Sequence, residues 1–254
     1  MLSEAQLATY HERGWVIPDL RVPADIIAEI AALHTKFVEK NPRFADYCPA
    51  LLGYDMSFLK YCEAPEILDL IEQILGPDFA LWNSSFFAKP AYTGTTTPWH
   101  QDGEYWPIRP LATCTVWLAI DDATTENGCL RAIPGSHKDQ RLKKHNTNDG
   151  PGLALNQELD ASEYNAEDGE DIVLQSGQFS LHDVFLLHGS EPNRSANPRR
   201  GMTMRFMPTS SLFDRAIAAE QAKRFPNADH VEREIFLMRG TDQHGQNKFT
   251  PKHA

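Results

Sequence analysis

A mainly β fold with flanking helices is what this sequence predicts, and three observations predict it. From Phe79 to Pro208 the chain breaks into short β-rich runs separated by Gly, Pro, Asn and Asp, the texture of an antiparallel sandwich or barrel. Ahead of that stretch, apolar residues recur at helical spacing on one side of each segment, as helices do when they clad a sheet. The length, 254 residues, suits one domain of jelly-roll or barrel type and is ample for a core. We divide the single domain, 1-254, into helical cladding 1-78, a β core 79-208, and a C-terminal helix and tail 209-254.

Ser3 can cap a helix that runs to about Glu12, with Glu4 in the first turn and Gly14 as the stop. Trp15-Val16-Ile17-Pro18 reads as a brief strand. Pro23 fits the first position of a second helix, whose Ile26, Ile27, Ile30, Leu33 and Phe37 form one stripe. A third helix, about Ala64 to Leu75, carries Ile67, Leu68, Ile71 and Ile74 and ends at Gly76-Pro77. The run from Ala80 to Lys89 is a strand with Asn83, Ser85, Phe87 and Lys89 on one face. Thr113 to Ile120 is another, with Thr113, Thr115 and Trp117 on one side and a wholly apolar opposite face. Asp121 to Gly128 and Pro134-Gly135-Ser136-His137 supply turns, and the long polar stretch 138-170 reads as a lid, a binding loop or a mobile segment. Gly177 to His182 and Phe185 to His188 read as strands joined near Asp183, and Gly201 to Met207 as the last strand. Leu212 to Arg224 reads as a helix stopping near Pro226, followed by a polar tail from Gly240 to Ala254.

A formal net charge of −11 opposes non-specific nucleic-acid binding and points to a small-molecule substrate or a protein partner. No long apolar run suits a membrane span, and Met1-Leu2-Ser3-Glu4-Ala5 lacks the basic and apolar parts of a signal peptide, so the expected location is cytoplasmic. Cys48, Cys62, Cys114 and Cys129 lack C-x-x-C spacing and are expected to be buried thiols.

The chemistry centres on Pro98-Trp99-His100-Gln101-Asp102-Gly103 and on Leu187-His188-Gly189-Ser190. On a strand, His100 and Asp102 point one way and Gln101 the other. A second imidazole brought there from elsewhere would put two His and one carboxylate on a single face of a metal, the arrangement of non-haem Fe(II) oxygenases. Taken alone, the tripeptide is equally compatible with a surface loop, and His188 with a core histidine.

These residues, with Asn127-Gly128-Cys129-Leu130, Pro134-Gly135-Ser136-His137-Lys138 and Pro198-Arg199-Arg200-Gly201, resemble the phytanoyl-CoA dioxygenase family of Fe(II) and 2-oxoglutarate-dependent oxygenases across about residues 3 to 208. The resemblance implies a double-stranded β-helix, a jelly roll of cupin-like type, with iron held inside its open end. It makes His100, Asp102 and His188 the catalytic metal ligands, and the retained carboxylate disfavours the halogenation carried out by relatives that lack it. A 2-oxoglutarate cosubstrate needs a cation for its far carboxylate, and an arginine fork suits that best. Arg199 stands where the family places this arginine. By the same resemblance Ser190 touches the cosubstrate, Lys89 matches a lysine that does so in one relative unless it is a surface charge, and Trp117 matches a tryptophan near it, unless Trp117 is an ordinary core residue. Alternation puts Asn83 and Ser85 on the face of Lys89, as candidates to line a substrate pocket. Arg200 is expected to face outward as a solvated charge, while Arg205 shares Arg199's parity and its role is open between that face's chemistry and a structural ion pair. His137 belongs to a loop signature and reads as structural. His182 is open between supporting a metal ligand, touching substrate, and neither. Tyr105 and Trp106 are expected at the pocket mouth, where with Glu104 they suit a cationic group or simply pack.

The implied reaction uses Fe(II), 2-oxoglutarate and O2 to hydroxylate an unactivated C–H of a small-molecule substrate, releasing succinate and CO2. Two alternatives stay open on the residues: a metal-dependent β-barrel hydrolase or isomerase that uses no O2, with a metal such as Zn²⁺ activating water, and a non-catalytic small-molecule-binding jelly roll.

Overall fold

The computed structural model describes residues 1–224 and 230–252. Helix α1 (Glu4–Arg13) begins as expected: Ser3 and Gln6 form a reciprocal capping box, and Gly14 closes the helix at φ 86°. Strand β1 (Trp15–Val16) follows, then α2 (Ala24–Lys40), in which Pro23 is the cap residue and not the first helical residue. Strand β2 (Tyr47–Cys48) and the short helices α3 (Leu51–Tyr54) and α4 (Leu59–Cys62) lead to α5 (Pro65–Leu75).

The strands that follow are β3 (Phe79–Lys89), β4 (Thr97–His100), β5 (Ile108–Arg109), β6 (Cys114–Ala119) and β7 (Leu130–Ala132). Next come β8 (His145–Thr147), β9 (Gln157–Leu159), β10 (Glu170–Ile172), β11 (Phe179–Asp183) and β12 (His188–Ser190). The last elements are β13 (Arg199–Pro208), β14 (Leu212–Phe213), α6 (Arg215–Arg224) and β15 (Phe236–Arg239). Among the described residues, a large antiparallel sheet runs β1-β11-β6-β13-β3-β15 with β2 also on β3, and a smaller one runs β10-β7-β12-β4. The large sheet thus recruits strands from both sides of the 79-208 core.

The faces of the large sheet explain its position in the molecule. Phe86, Val116, Leu118, Leu181, Met202, Met204 and Phe206 point to one side, where Ile27, Ile30 and Phe37 of α2 and Ile67 and Ile71 of α5 bury them. Each such side chain contributes about 1.5–3 kcal/mol on burial, which is why the helices dock here. The other face carries Asn83, Ser85, Phe87 and Lys89 of β3 beside Arg205, Thr203, Gly201 and Arg199 of β13 in direct register. Thr115 and Trp117 of β6 continue it, followed by His182 and Ser180 of β11. This polar face looks toward the smaller sheet.

Two expectations are corrected, and one strand is added. Phe185 to His188 is not a strand: pairing begins only at His188, and β11 and β12 belong to different sheets, because the apolar Val184 to Leu187 run is a buried crossover between them. Leu212 and Phe213 are not helical but pair with Arg109 and Ile108, and the helix starts at Arg215 after Asp214 accepts from the Ala216 and Ile217 amides. Strand β15 lies just ahead of the expected tail, on the edge of β3. The predicted stop near Pro226 and the last two tail residues lie outside the described residues. The 138-170 stretch is organised by the β8–β9 ribbon and β10. All four cysteines are free and buried. No helix among the described residues is long and apolar enough to cross a membrane.

Candidate metal centre and adjoining pockets

His100 ends β4 and His188 begins the neighbouring β12, and the two are direct partners in the antiparallel register. Asp102 is reached differently from the sequence expectation. Gln101 is extended (φ −112°, ψ 137°), but Asp102 opens a 3₁₀ turn, Asp102–Tyr105, rather than continuing the strand. The result is still convergence: candidate ligand atoms of His100, Asp102 and His188 lie within 4.8 Å of one another. Asp102 Oδ1 is 3.5 Å from His100 Nε2 and 3.8 Å from His188 Nε2. Gln101 points the opposite way, where its Nε2 donates to Phe185 O (2.8 Å) and its Oε1 accepts from Lys143 N (2.7 Å).

Both imidazoles are oriented from behind. His100 Nδ1 lies 2.8 Å from the Pro98 carbonyl and His188 Nδ1 2.9 Å from the Leu186 carbonyl. A carbonyl only accepts, so each Nδ1 carries the proton and each Nε2 presents a lone pair toward Asp102, the tautomer a metal requires. Burial, reinforced by the neighbouring His100, pushes the His188 pKa well down and keeps that ring neutral. Burial alone would raise the Asp102 pKa, but the positive charge of Arg205 above all holds it well below the usual carboxylate range. Its second oxygen, Oδ2, is surrounded by Thr115 Oγ1 at 3.4 Å, His182 Nε2 at 3.6 Å and Arg205 Nε at 3.8 Å. His182 therefore belongs to the site, against the carboxylate.

These residues share an inner chamber with Thr97, Leu130, Phe87, Thr115, Trp117 and Ser190, and with Arg199, Thr203 and Arg205. Arg199 is 2% exposed, and no described carboxylate lies within ion-pair distance of it. Among the described residues its one hydrogen bond runs from Nη1 to the Phe87 carbonyl at 3.2 Å, and its Nε has no partner. The guanidinium lies over the Trp117 ring, 5.1 Å from the centroid, and Trp117 in turn lies so close to Gly201 that a Cβ there would sit 2.1 Å from its Cζ2. A buried guanidinium without a counter-ion is costly to the fold, and it fits the far carboxylate of a dicarboxylic keto acid.

The other sequence candidates fall on either side of this chamber. Lys89 stands opposite Arg199 in register, but its amine turns to the Thr95 carbonyl and it does not line the chamber; burial, and then Arg199, push its pKa down to about 6. Ser85 accepts from Arg205 Nη1 at 2.6 Å and so orients that residue without lining a cavity itself. Asn83, Tyr105 and Trp106 line an outer cleft of about 620 Å³ with Tyr47, His230 and the β8–β9 ribbon residues 147–150 and 153–157. The Trp106 ring face is already occupied, since the Arg205 guanidinium lies 5.3 Å from its centroid. Arg200 faces the helices, as parity required, but is not simply solvated: Asp121 receives its Nε and Nη2 at 2.8 Å each. His137 lies away from the site, 3.1 Å from the His11 carbonyl. Thr115, Thr203 and Phe87 were missed as chamber residues although their strand parity marks them. Tyr47 and His230 carried no such signal, whereas the ribbon falls in the 138-170 stretch read as a lid, a binding loop or a mobile segment.

Comparison with known proteins agrees with this geometry. The family model described as phytanoyl-CoA dioxygenase matches residues 16–201. A phytanoyl-CoA dioxygenase domain-containing protein 1 homolog of Dictyostelium discoideum is 31% identical over 67% of this chain and 61% of its own length. The human peroxisomal phytanoyl-CoA dioxygenase is 30% identical over 60% of this chain and 46% of that protein. A probable alpha-ketoglutarate-dependent hypophosphite dioxygenase of Stutzerimonas stutzeri is 32% identical over 53% and 47%. The chain thus spans about half the length of the curated relatives it matches. Among solved structures, an apo non-heme monooxygenase superposes with a TM-score of 0.72 at 24% identity, covering 96% of this chain and 86% of that one. A non-heme alpha-ketoglutarate-dependent carbocyclase from nogalamycin biosynthesis gives 0.68 at 19% identity, over 84% and 86%. At these identities the neighbours speak for the fold alone, the cupin-like double-stranded β-helix. With that fold and a family match over most of its length, the chain belongs to the phytanoyl-CoA dioxygenase family.

Proposed function

We propose that this chain is a non-haem Fe(II) and 2-oxoglutarate-dependent dioxygenase that hydroxylates an unactivated C–H of a small-molecule substrate. One observation carries the reading: two imidazoles whose Nδ1 atoms are tied to backbone carbonyls aim their Nε2 atoms at one carboxylate, in the same chamber as a buried guanidinium that has no counter-ion among the described residues. A metal site with one face filled by His100, Asp102 and His188 keeps its remaining positions open. When bound there, Fe(II) supplies the coupling of O2 to keto-acid decarboxylation and substrate oxidation.

The chain's residues supply everything else. His100 and His188 would offer a metal neutral lone pairs and Asp102 its Oδ1, while Thr115, His182 and Arg205 surround Oδ2. Arg199 would receive the far carboxylate of 2-oxoglutarate, with Trp117 supporting the guanidinium and Ser190 offering a hydroxyl on the chamber wall. Lys89, opposite Arg199 in register, turns its amine to the Thr95 carbonyl and does not reach the chamber. The β8–β9 ribbon, with Tyr105 and Trp106, forms the wall against which a substrate is oriented.

The test supplies the purified protein with Fe(II), 2-oxoglutarate and ¹⁸O₂ and screens small molecules for accelerated succinate release. The expected product gains one labelled oxygen atom and forms only when both Fe(II) and the keto acid are present. Turnover that proceeds anaerobically, or without 2-oxoglutarate, overturns the reading.

A further inference from the structure

Arg205 is the second buried guanidinium on the inner face of β13, 4% exposed, and it lines both the inner chamber and the outer cleft. Its bonds are lopsided. Nη1 donates to Ser85 Oγ at 2.6 Å and Thr203 Oγ1 at 2.9 Å, and Nε faces Asp102 Oδ2 at 3.8 Å. The rings of Phe87 and Trp106 flank the group, 5.8 and 5.3 Å from its central carbon. Nη2 donates to no described residue. Arg200, by contrast, is met at Nε and Nη2 by the Asp121 carboxylate and at Nη1 by the Ala31 carbonyl.

A charge count gives the unmet donor a meaning, on the reading proposed above. The two charges of Fe(II) and the one of Arg199 are balanced by Asp102 and by both carboxylates of 2-oxoglutarate. Arg205 is then one positive charge in surplus, in a buried place where an unbalanced charge is strongly disfavoured. Lys89 adds little, being pushed down to about 6. The remaining carboxylate on the cleft wall, Asp149, is exposed on the ribbon and bonded by Asn156. Trp106, which sequence reasoning offered to a cationic group, has its ring against Arg205.

We propose that the outer cleft binds a substrate bearing a single carboxylate, anchored at the cleft's inner end by Arg205 Nη2. The anchor fixes which end of the substrate enters first, and it selects against neutral and cationic analogues, whose binding leaves the guanidinium unanswered. Because the whole chain is acidic, with net charge −11, such a preference for an anion has to be local.

The test loads the protein anaerobically with Fe(II) and saturating 2-oxoglutarate and titrates three six-carbon probes, hexanoate, hexanol and hexylamine, reading the perturbation of the absorption band of the metal-bound keto acid. Hexanoate should bind at least tenfold more tightly than either other probe. Arg205→Gln should erase that preference, and Arg205→Lys should keep part of it. Equal binding of hexanol or hexylamine, no binding by any of the three, or a preference that survives in Arg205→Gln overturns the proposal. If Arg205→Gln does not fold, the head-group preference of the unaltered protein decides. If the keto-acid band never forms in the unaltered protein, the functional reading fails and takes this inference with it. If the band forms but hexanoate is not preferred, this inference alone fails.

Discussion

The inner chamber and the outer cleft meet at Arg205, yet they are built by different means. The chamber is made of paired strands: alternate residues of β3, β13, β6 and β11 supply one wall, and adjacent β4 and β12 supply the two imidazoles. The cleft is made of pieces brought from afar, among them Tyr47, the 3₁₀ turn after Asp102, the β8–β9 ribbon and His230. Regular pairing positions atoms tightly, which suits a metal and a cosubstrate of constant shape. Irregular segments vary readily without disturbing the sheet, which suits the recognition of a particular substrate.

Several perturbations break or sharpen this division. Asp102→Ala, at the heart of the chamber, should abolish 2-oxoglutarate turnover and weaken Fe(II) binding by more than about 100-fold, because even residues that merely support metal ligands are worth 10- to 100-fold. Calorimetry with Fe(II) under nitrogen checks this. Arg199→Ala should act only through the cosubstrate. Removing one partner of a buried charge pair costs about 2–5 kcal/mol, so the KM for 2-oxoglutarate should rise roughly 30-fold or more.

A pH series separates global packing from both regions. His34, stacked on Phe86 at 4.0 Å behind the sheet, is pushed down to about 4 by burial and then by Arg200. The unfolded chain takes up this proton near its ordinary value of about 6.5 while the folded chain resists until about 4. Stability should therefore fall as pH drops through that window, by up to about 3 kcal/mol from this residue, and change no further from it below. Denaturant melts of His34→Phe should show a shallower acid slope than the parent protein. An unchanged slope would remove His34 from the account.

Gly201→Ala places a methyl group against Trp117, 2.1 Å from Cζ2, and overpacking of this kind costs about 1–3 kcal/mol. Beyond a lowered melting temperature, it should raise the KM for 2-oxoglutarate by tilting the ring under Arg199. The gentlest perturbation is on the cleft side. Replacing residues 148–156 with a tight turn should leave the KM for 2-oxoglutarate unchanged and loosen only the coupling of succinate release to substrate oxidation. A matching loss of 2-oxoglutarate affinity would erase the distinction between the two regions.

The same division governs what could be read from the sequence. Helices α1, α2 and α5 announced themselves through caps and apolar stripes, and the inner face of β3 and β6 through simple alternation. Parity also carried Arg199 and Arg205 to one side of β13 and Arg200 to the other, although only folding showed that Asp121 would arrive to meet Arg200. The approach of His100 to His188 rests on strand pairing across 88 positions, which no local pattern encodes; the family resemblance supplied it. Where backbone regularity stops, the reading failed. Asp102 reaches the site through a 3₁₀ turn, and Val184 to Leu187 is buried as a crossover, where an apolar run looks like a strand whichever way it lies. Leu212 and Phe213 looked helical because their partners, Ile108 and Arg109, are far away in the chain. Of the cleft, the sequence offered Asn83, Tyr105, Trp106 and the 138-170 stretch as a possible binding loop, but not Tyr47, His230 or the way these pieces meet.

The most direct test of the central claim is an anaerobic titration of the protein with Fe(II) and then 2-oxoglutarate, followed by the visible absorption of the metal-bound keto acid, for the parent chain and for Arg199→Ala. The account predicts one equivalent of each ligand per chain, a band that requires both, and a sharply weakened second step in the variant. Keto-acid binding that needs no metal, or that ignores the loss of Arg199, would contradict it.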